Sequence, residues 1–255
     1  MNVSLDLLPQ MAFLLLLVFG RVGAMLMLAP ALGEQSIPAN LRLGFALIFS
    51  LVVFPLVAER MPSMPASFVA MGIMLIREIL VGLVLGGIAR MIVMATQTAG
   101  AIIAFQSGLS AAMANDPSQP GIQGAMIGNF LTLVAVTLVF VTDLHYLVLA
   151  AIIDSYAYFP PTGSIMLEDA MIAALAAFSG AFVVGVQMSA PFLVFGLVFN
   201  LGLGLIARLM MQLQVYFIAM PANVGIGFLL LMVLLSAMMM WYLSHFERFF
   251  TMFAS

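Results

Sequence analysis

Seven ionisable side chains lie inside long apolar runs of this chain: Arg21, Arg42, Arg77, Glu78, Arg90, Asp143 and Arg208. Catalysis would require such groups to converge as acid and base, or as nucleophile and activator, and their spacing offers no such convergence. Arg77 and Glu78 are neighbours in sequence, but successive helical residues point about 100° apart, so each needs a partner elsewhere. Asp143 and His145 fall on different helix faces and read as helix-end or intersubunit polar groups rather than a proton relay. There is no nucleophile elbow, no HExxH, no phosphate loop and no paired histidine and carboxylate motif of the intramembrane-protease kind. With 0 cysteines, and with His145 and His245 far apart in the chain, the sequence implies no disulfide, no thiol chemistry, no metal and no other cofactor. The chain reads as something other than an enzyme.

What the charges do instead follows from their surroundings. The chain is 65% hydrophobic and 7% charged, with mean hydropathy +1.25. Its repeated apolar runs of about twenty residues define an all-α integral membrane protein. A charge at the centre of a membrane helix costs roughly 2.5 to 3.5 kcal/mol, so these groups must face protein or water rather than lipid. They can pair within one bundle, or with other subunits around an aqueous path. Their scatter over several segments, together with Gln212, favours the second for the set. Every permanently charged cation is an arginine, which suits fixed, forked hydrogen bonding. A net charge of -3 without lysine or a basic cluster excludes nucleic acid and a polybasic lipid-binding tail.

The elements that must position these groups are long helices. The first apolar segment is 7–28, and its lack of a basic leader makes it a retained helix rather than a secretory signal. The second is 40–58, with a kink or stop expected at Pro55. From 66 to 114 the apolar pattern would make one helix of about 75 Å, more than twice a hydrocarbon core. Either the chain turns near Gly86 and Gly87 or over 96–100, or the helix projects well beyond the bilayer. Segment 125–158 embeds Asn129, Asp143, His145 and Asp154. Pro160 to Gly163 forms a linker, dividing a front part, 1–163, from a back part, 164–255. The back part opens on Glu168 and Asp169 at a helix N-terminus, breaks at Pro191, continues to 220 and turns at 221–225. Its last segment ends in Trp241, Tyr242, His245, Glu247 and Arg248, the mixture of an interface anchor. Two glycine sets at helical spacing, Gly82, Gly86 and Gly87, and Gly196, Gly202 and Gly204, predict close helix packing. The 23 methionines fill gaps or contact lipid, and would also suit a seal that closes and reopens.

One stretch, 105–123, interrupts the apolar pattern with amides, hydroxyls, glycine, proline and a carboxylate. The residue before Pro117 is pushed out of the helical region, and Pro120 with Gly121 is a second turn signal. Two fixed φ angles, with Asn115 and Asp116 able to bond local backbone, predict a shaped loop between two helical arms.

Several short runs carry a resemblance. Residues 25–33, Ile37, Pro38 and Arg42, then Phe105, Gln106, Ser107, Gly108 and Leu109 leading to Asp116 and Pro117, resemble the FliR family of flagellar type III export-gate subunits, in order and spacing over nearly the whole chain. In the back part, 189–193, Gly196, Gly202, Ala207, Gln212 and Pro221 look like the two-helix subunit FliQ, whereas the front part has the helix plan of FliP. The resemblance implies a FliP-like unit fused to a FliQ-like hairpin. It further implies a single copy completing a helical ring of FliP and FliQ, with FlhB and FlhA type subunits nearby. The setting would be the inner membrane of a bacterium, in the flagellar basal body, with unfolded flagellar subunits as cargo and energy supplied by others. It implies too that the central loop plugs the lumen. That role would fall on Phe105, Gln106, Ser107, Gly108, Leu109, Ser110, Met113, Asn115, Asp116, Pro117, Ser118, Gln119 and Pro120, with Phe105, Leu109 and Met113 as apolar plug residues. Injectisome gates carry related subunits; overall likeness favours the flagellar system. A stand-alone secondary transporter or channel would instead show inverted repeats and a midplane site, and a membrane enzyme a catalytic cluster.

Overall fold

In a computed structural model of the chain, the described residues are 7–30, 33, 38–109, 125–161, 167–209 and 215–251. Among them the regular elements are helical. They are α1 (Leu7–Leu28), α2 (Ala39–Val57) with a 3-10 turn (Ala58–Arg60), α3 (Phe68–Gln106), α4 (Ala125–Val141), α5 (His145–Tyr158), α6 (Leu167–Leu209) and α7 (Val215–Thr251). Five helices are long and apolar enough to cross a membrane, and α4 with α5, bent by 76°, form a sixth candidate. The protein is an all-α integral membrane protein.

Two sequence expectations about boundaries hold closely. The first two apolar segments are α1 and α2, and α2 stops two residues beyond Pro55, where the missing N–H and the ring disrupt the ladder. Three others are corrected, and of the two alternatives for 66–114 the uninterrupted helix is the one found. No turn interrupts α3 at Gly86 and Gly87 or over 96–100: its 39 residues form one helix of about 58 Å. Gly82 and Gly86 serve packing there, because a Cβ on Gly82 would overlap the Arg21 carbonyl and one on Gly86 would lie 2.7 Å from the Met25 carbonyl. Gly87, Gly202 and Gly204, by contrast, have open space where a Cβ would stand.

Pro191 does not end its helix; α6 runs on through it. Val184, Met188 and Phe192 are buried around it at helical spacing, and such packing keeps a membrane helix continuous past one lost hydrogen bond. Pro221 likewise lies inside α7, so 221–225 is helix rather than a turn. Asp143 is not embedded in a helix. It is exposed in the turn between α4 and α5, with φ 60, a left-handed conformation that aspartate tolerates better than most residues.

The chain forms two compact units. One comprises 1–92, 143–178 and 247–255; the other comprises 93–142 and 179–246. In the first, Val18, Val22 and Met25 of α1 pack with Ala46, Val53 and Val57 of α2 and with Ile152 and Tyr156 of α5. The apolar stripe of α1 recurs every three or four residues, so one face is continuously buried. In the second, the expected aromatic anchor divides. Tyr242 is fully buried beside Phe246, while Trp241 is exposed and donates from Nε1 to Gln187 Oε1 at 3.2 Å.

Candidate functional site

Two clusters of embedded polar residues stand out, one in each unit. In the first unit Arg21 and Glu78, each 1% exposed, form a forked ion pair. Arg21 Nε donates to Glu78 Oε2 at 2.7 Å and Nη2 to Glu78 Oε1 at 3.0 Å. Nη1 donates to the Ser155 carbonyl at 3.0 Å and to its Oγ at 3.2 Å, and Nη2 to the Phe159 carbonyl at 2.7 Å. A guanidinium has five N–H groups, and each has an acceptor here. The Arg21 Cζ also lies 3.9 Å from the centroid of the Tyr156 ring, a cation–π contact. Local sequence explains the fit. Arg21 continues the buried stripe of α1, and the glycines one and two turns beyond Glu78 on α3 let the two helix backbones approach.

The neighbouring Arg77 is turned away from Glu78. It donates from Nη2 to the Pro160 carbonyl at 3.1 Å. Two arginines on different helices therefore hold consecutive carbonyls, those of Phe159 and Pro160, where α5 ends. Both Glu78 oxygens and all five Arg21 N–H groups are engaged, while the buried Tyr156 hydroxyl has no hydrogen-bond partner among the described residues. Chemically it is a clamp.

In the second unit the end of α3 is held from several sides. Gly108 has φ 69, the left-handed conformation that commonly ends a helix. Ser107 N–H donates to the Ile103 carbonyl at 2.9 Å and Gly108 N–H to the Phe105 carbonyl at 3.2 Å. Asn223 of α7 donates from Nδ2 to the Gln106 carbonyl at 3.4 Å. A Cβ on Gly227 of α7 would overlap the Ser107 side chain, and one on Gly196 of α6 would overlap the Gln106 amide. The helix entering the central loop is thus seated against α6 and α7. Its Phe105 is 72% exposed.

The helix leaving that loop is tied to the same arm. A Cβ on Gly100 would overlap the Gly128 backbone, and one on Gly128 would meet the Gln97 amide oxygen. One turn along, Gln97 Nε2 donates to Asn129 Oδ1 at 3.2 Å and to Thr132 Oγ1 at 2.9 Å, and the Thr96 and Thr132 hydroxyls share a hydrogen bond of 2.7 Å. Beside the loop, Leu109, Met126, Phe130 and Phe228 line an apolar cavity of about 580 Å³.

The remaining sequence-selected residues are spread out. Arg42, in the first turn of α2, is half-buried, and its Nε has no hydrogen-bond partner among the described residues. Arg90 is exposed on α3, and Arg208 is exposed in the last turn of α6, where a cation suits the helix dipole. Ser110, Met113, Asn115, Asp116, Pro117, Ser118, Gln119, Pro120 and Gln212 lie outside the described residues. Sequence reasoning missed Ser155, Tyr156, Thr132 and Asn223. Nothing local marks the first two, but an Asn within an apolar helix is a signal that would have found Asn223.

Buried charge clamped within long apolar helices defines an integral membrane protein. Comparison with known proteins narrows this to a family. The family of bacterial export proteins, family 1, matches residues 12–249, and the chain belongs to it. The flagellar biosynthetic protein FliR of Caulobacter vibrioides is 42% identical over 224 residues, covering 88% of this chain and 89% of that protein. That of Bacillus subtilis is 35% identical over 242 residues, covering 92% and 90%. The Yop proteins translocation protein T of Yersinia pestis is 27% identical over 237 residues, covering 92% and 90%.

Proposed function

We propose that this chain is a structural subunit of the flagellar type III export gate in the bacterial inner membrane, within the flagellar basal body. It acts with FliP and FliQ type subunits as a protein-conducting channel for unfolded flagellar subunits. One copy joins their helical ring, with its 1–163 part standing in for a FliP-like unit and its 164–255 part for a FliQ-like hairpin. FlhB and FlhA type subunits adjoin it. The chain carries out no reaction; it positions a barrier. The 42% and 35% identity to the flagellar proteins of Caulobacter vibrioides and Bacillus subtilis, against 27% to the Yersinia pestis protein, supports the flagellar setting over the injectisome one.

The loop 105–120 is the lumenal plug in this reading. The observation that supports it is the pair of seated arms. The entering helix is held by Asn223, Gly196 and Gly227, and the leaving helix by the contact of Gly100 with Gly128. A loop that blocks a pore against pressure from cargo and solvent needs rooted ends, whereas a passive connection does not.

The test is co-expression of a tagged chain with and without FliP and FliQ type partners, followed by native mass determination. A defined hetero-complex with one copy of this chain is expected. A stable chain that ignores those partners would overturn the gate reading.

A further inference from the structure

The strongest unassigned feature is one face of α3. Ile73, Ile76, Leu80, Leu83, Gly87 and Arg90 follow one another at intervals of three and four residues, the spacing of a helix–helix packing seam. The four apolar members are 41% to 62% exposed, and Gly87 has open space where a Cβ would stand. The same spacing extends back to Val69, about 32 Å in all, as long as a hydrocarbon core of about 30 Å. Apolar side chains alone would be satisfied by lipid. Arg90 would not be: it is exposed well inside an apolar helix and makes no hydrogen bond or ion pair among the described residues.

We propose that this face of α3 docks a membrane-spanning helix of another subunit, one that presents an aspartate or glutamate opposite Arg90. The inference rests on the gate reading and adds the chemistry of one contact. Charge complementarity selects the occupant: a backbone carbonyl can bond an arginine, as Pro160 does Arg77, but only a carboxylate neutralises its charge in an apolar seam. The same face of a second copy cannot supply one. That seam carries no acidic residue, and Glu78, on the opposite side of the helix, is already committed to Arg21. Gly87, one turn from Arg90, leaves room for the partner backbone to come close enough for the pair to form.

The experiment uses the full chain expressed with the complete export system. A photo-crosslinking residue is placed at Leu80, Leu83 and Gly87 on the face, and at Leu85, which packs against the core of its own unit on the opposite side of α3. The expected result is one protein adduct from the three face positions and little intermolecular adduct from Leu85. Arg90→Glu should lower recovery of the complex at least about tenfold, the loss expected of an unmet buried charge, and Arg90→Lys less. Exchange of one carboxylate in the crosslinked helix for arginine should restore the Arg90→Glu variant. Because Arg90 makes no bond to the described residues, the isolated variant should melt as the wild type does. Adducts to lipid only, adducts to a second copy, or unchanged recovery of Arg90→Glu would each overturn the docking proposal. Any of these with an intact FliP and FliQ type complex leaves the gate reading standing. A crosslinked partner from outside the export apparatus, bearing the carboxylate, would uphold the docking and overturn the gate reading.

Discussion

Replacing Glu78 by glutamine keeps the side-chain shape and removes its charge. Arg21 is then a fully buried cation whose remaining partners are carbonyls, a hydroxyl and an aromatic face. Breaking a buried pair from one side typically costs about 3 to 5 kcal/mol, because the other charge is left uncompensated. For a chain of this size each kcal/mol shifts the melting temperature by about 2 to 4 °C, so Glu78→Gln should lower it by ~6 to 20 °C. The assay is the temperature at which the detergent-solubilised chain leaves its monodisperse chromatographic peak. The reciprocal variant Arg21→Met should fall at least as far, since the Phe159 carbonyl loses its donor too. The double variant Arg21→Met with Glu78→Met removes both charges, and apolar replacement of a whole buried pair is often neutral. It should therefore recover much of the loss, short of wild type by the one orphaned carbonyl, that of Phe159, at about 1 to 3 kcal/mol, since the Ser155 carbonyl keeps the Phe159 N–H at 2.8 Å. A Glu78→Gln variant within about 2 °C of wild type would refute the reasoning, as would a double variant whose loss is the sum of the singles.

Gly82→Val should destabilise the chain by about 1 to 3 kcal/mol by wedging α1 from α3, whereas Gly87→Ala should be close to neutral; thermal melts of both separate packing from helix propensity. Gly108→Val should cost about 1 to 2 kcal/mol from left-handed strain and Gly108→Asn much less, read as melting temperature and as motility of the complemented strain. Asn223→Ala removes a hydrogen bond to the end of α3 and should cost about 1 kcal/mol, with greater ion leakage through the assembled gate if the seat holds the plug. Deletion of 110–120, which leaves Ser107 and Gly108 in their seat, should raise membrane conductance in cells carrying the complete apparatus; unchanged conductance would refute the plug.

Much of this protein was legible in composition and pattern, because the signals are local. Apolar runs long enough to span determine helices and their membrane setting. The first two segments were found to within a residue, whereas of the loop expected over 105–123, Phe105 and Gln106 belong to α3 and 110–123 lie outside the described residues. The same locality misled where proline was read as an end. Pro191 and Pro221 each remove one hydrogen bond, but packing around Phe192 and the neighbouring turns outweighs that loss, and packing is not a local property. Which charges pair was decided only by the fold. Arg21 lies 57 residues from Glu78 and 134 from Ser155, whereas Arg77, adjacent to that glutamate, points elsewhere. Glycine spacing announced close contact without telling which members make it. Gly82 and Gly86 meet α1, while Gly87 on the same helix has open space beside it, since a helix turns about 100° per residue and only one side can face a given neighbour. Sequence by itself thus determined the helices and their solvent. Tertiary structure alone decided which side of each helix is spoken for, because that depends on what the rest of the chain brings to it.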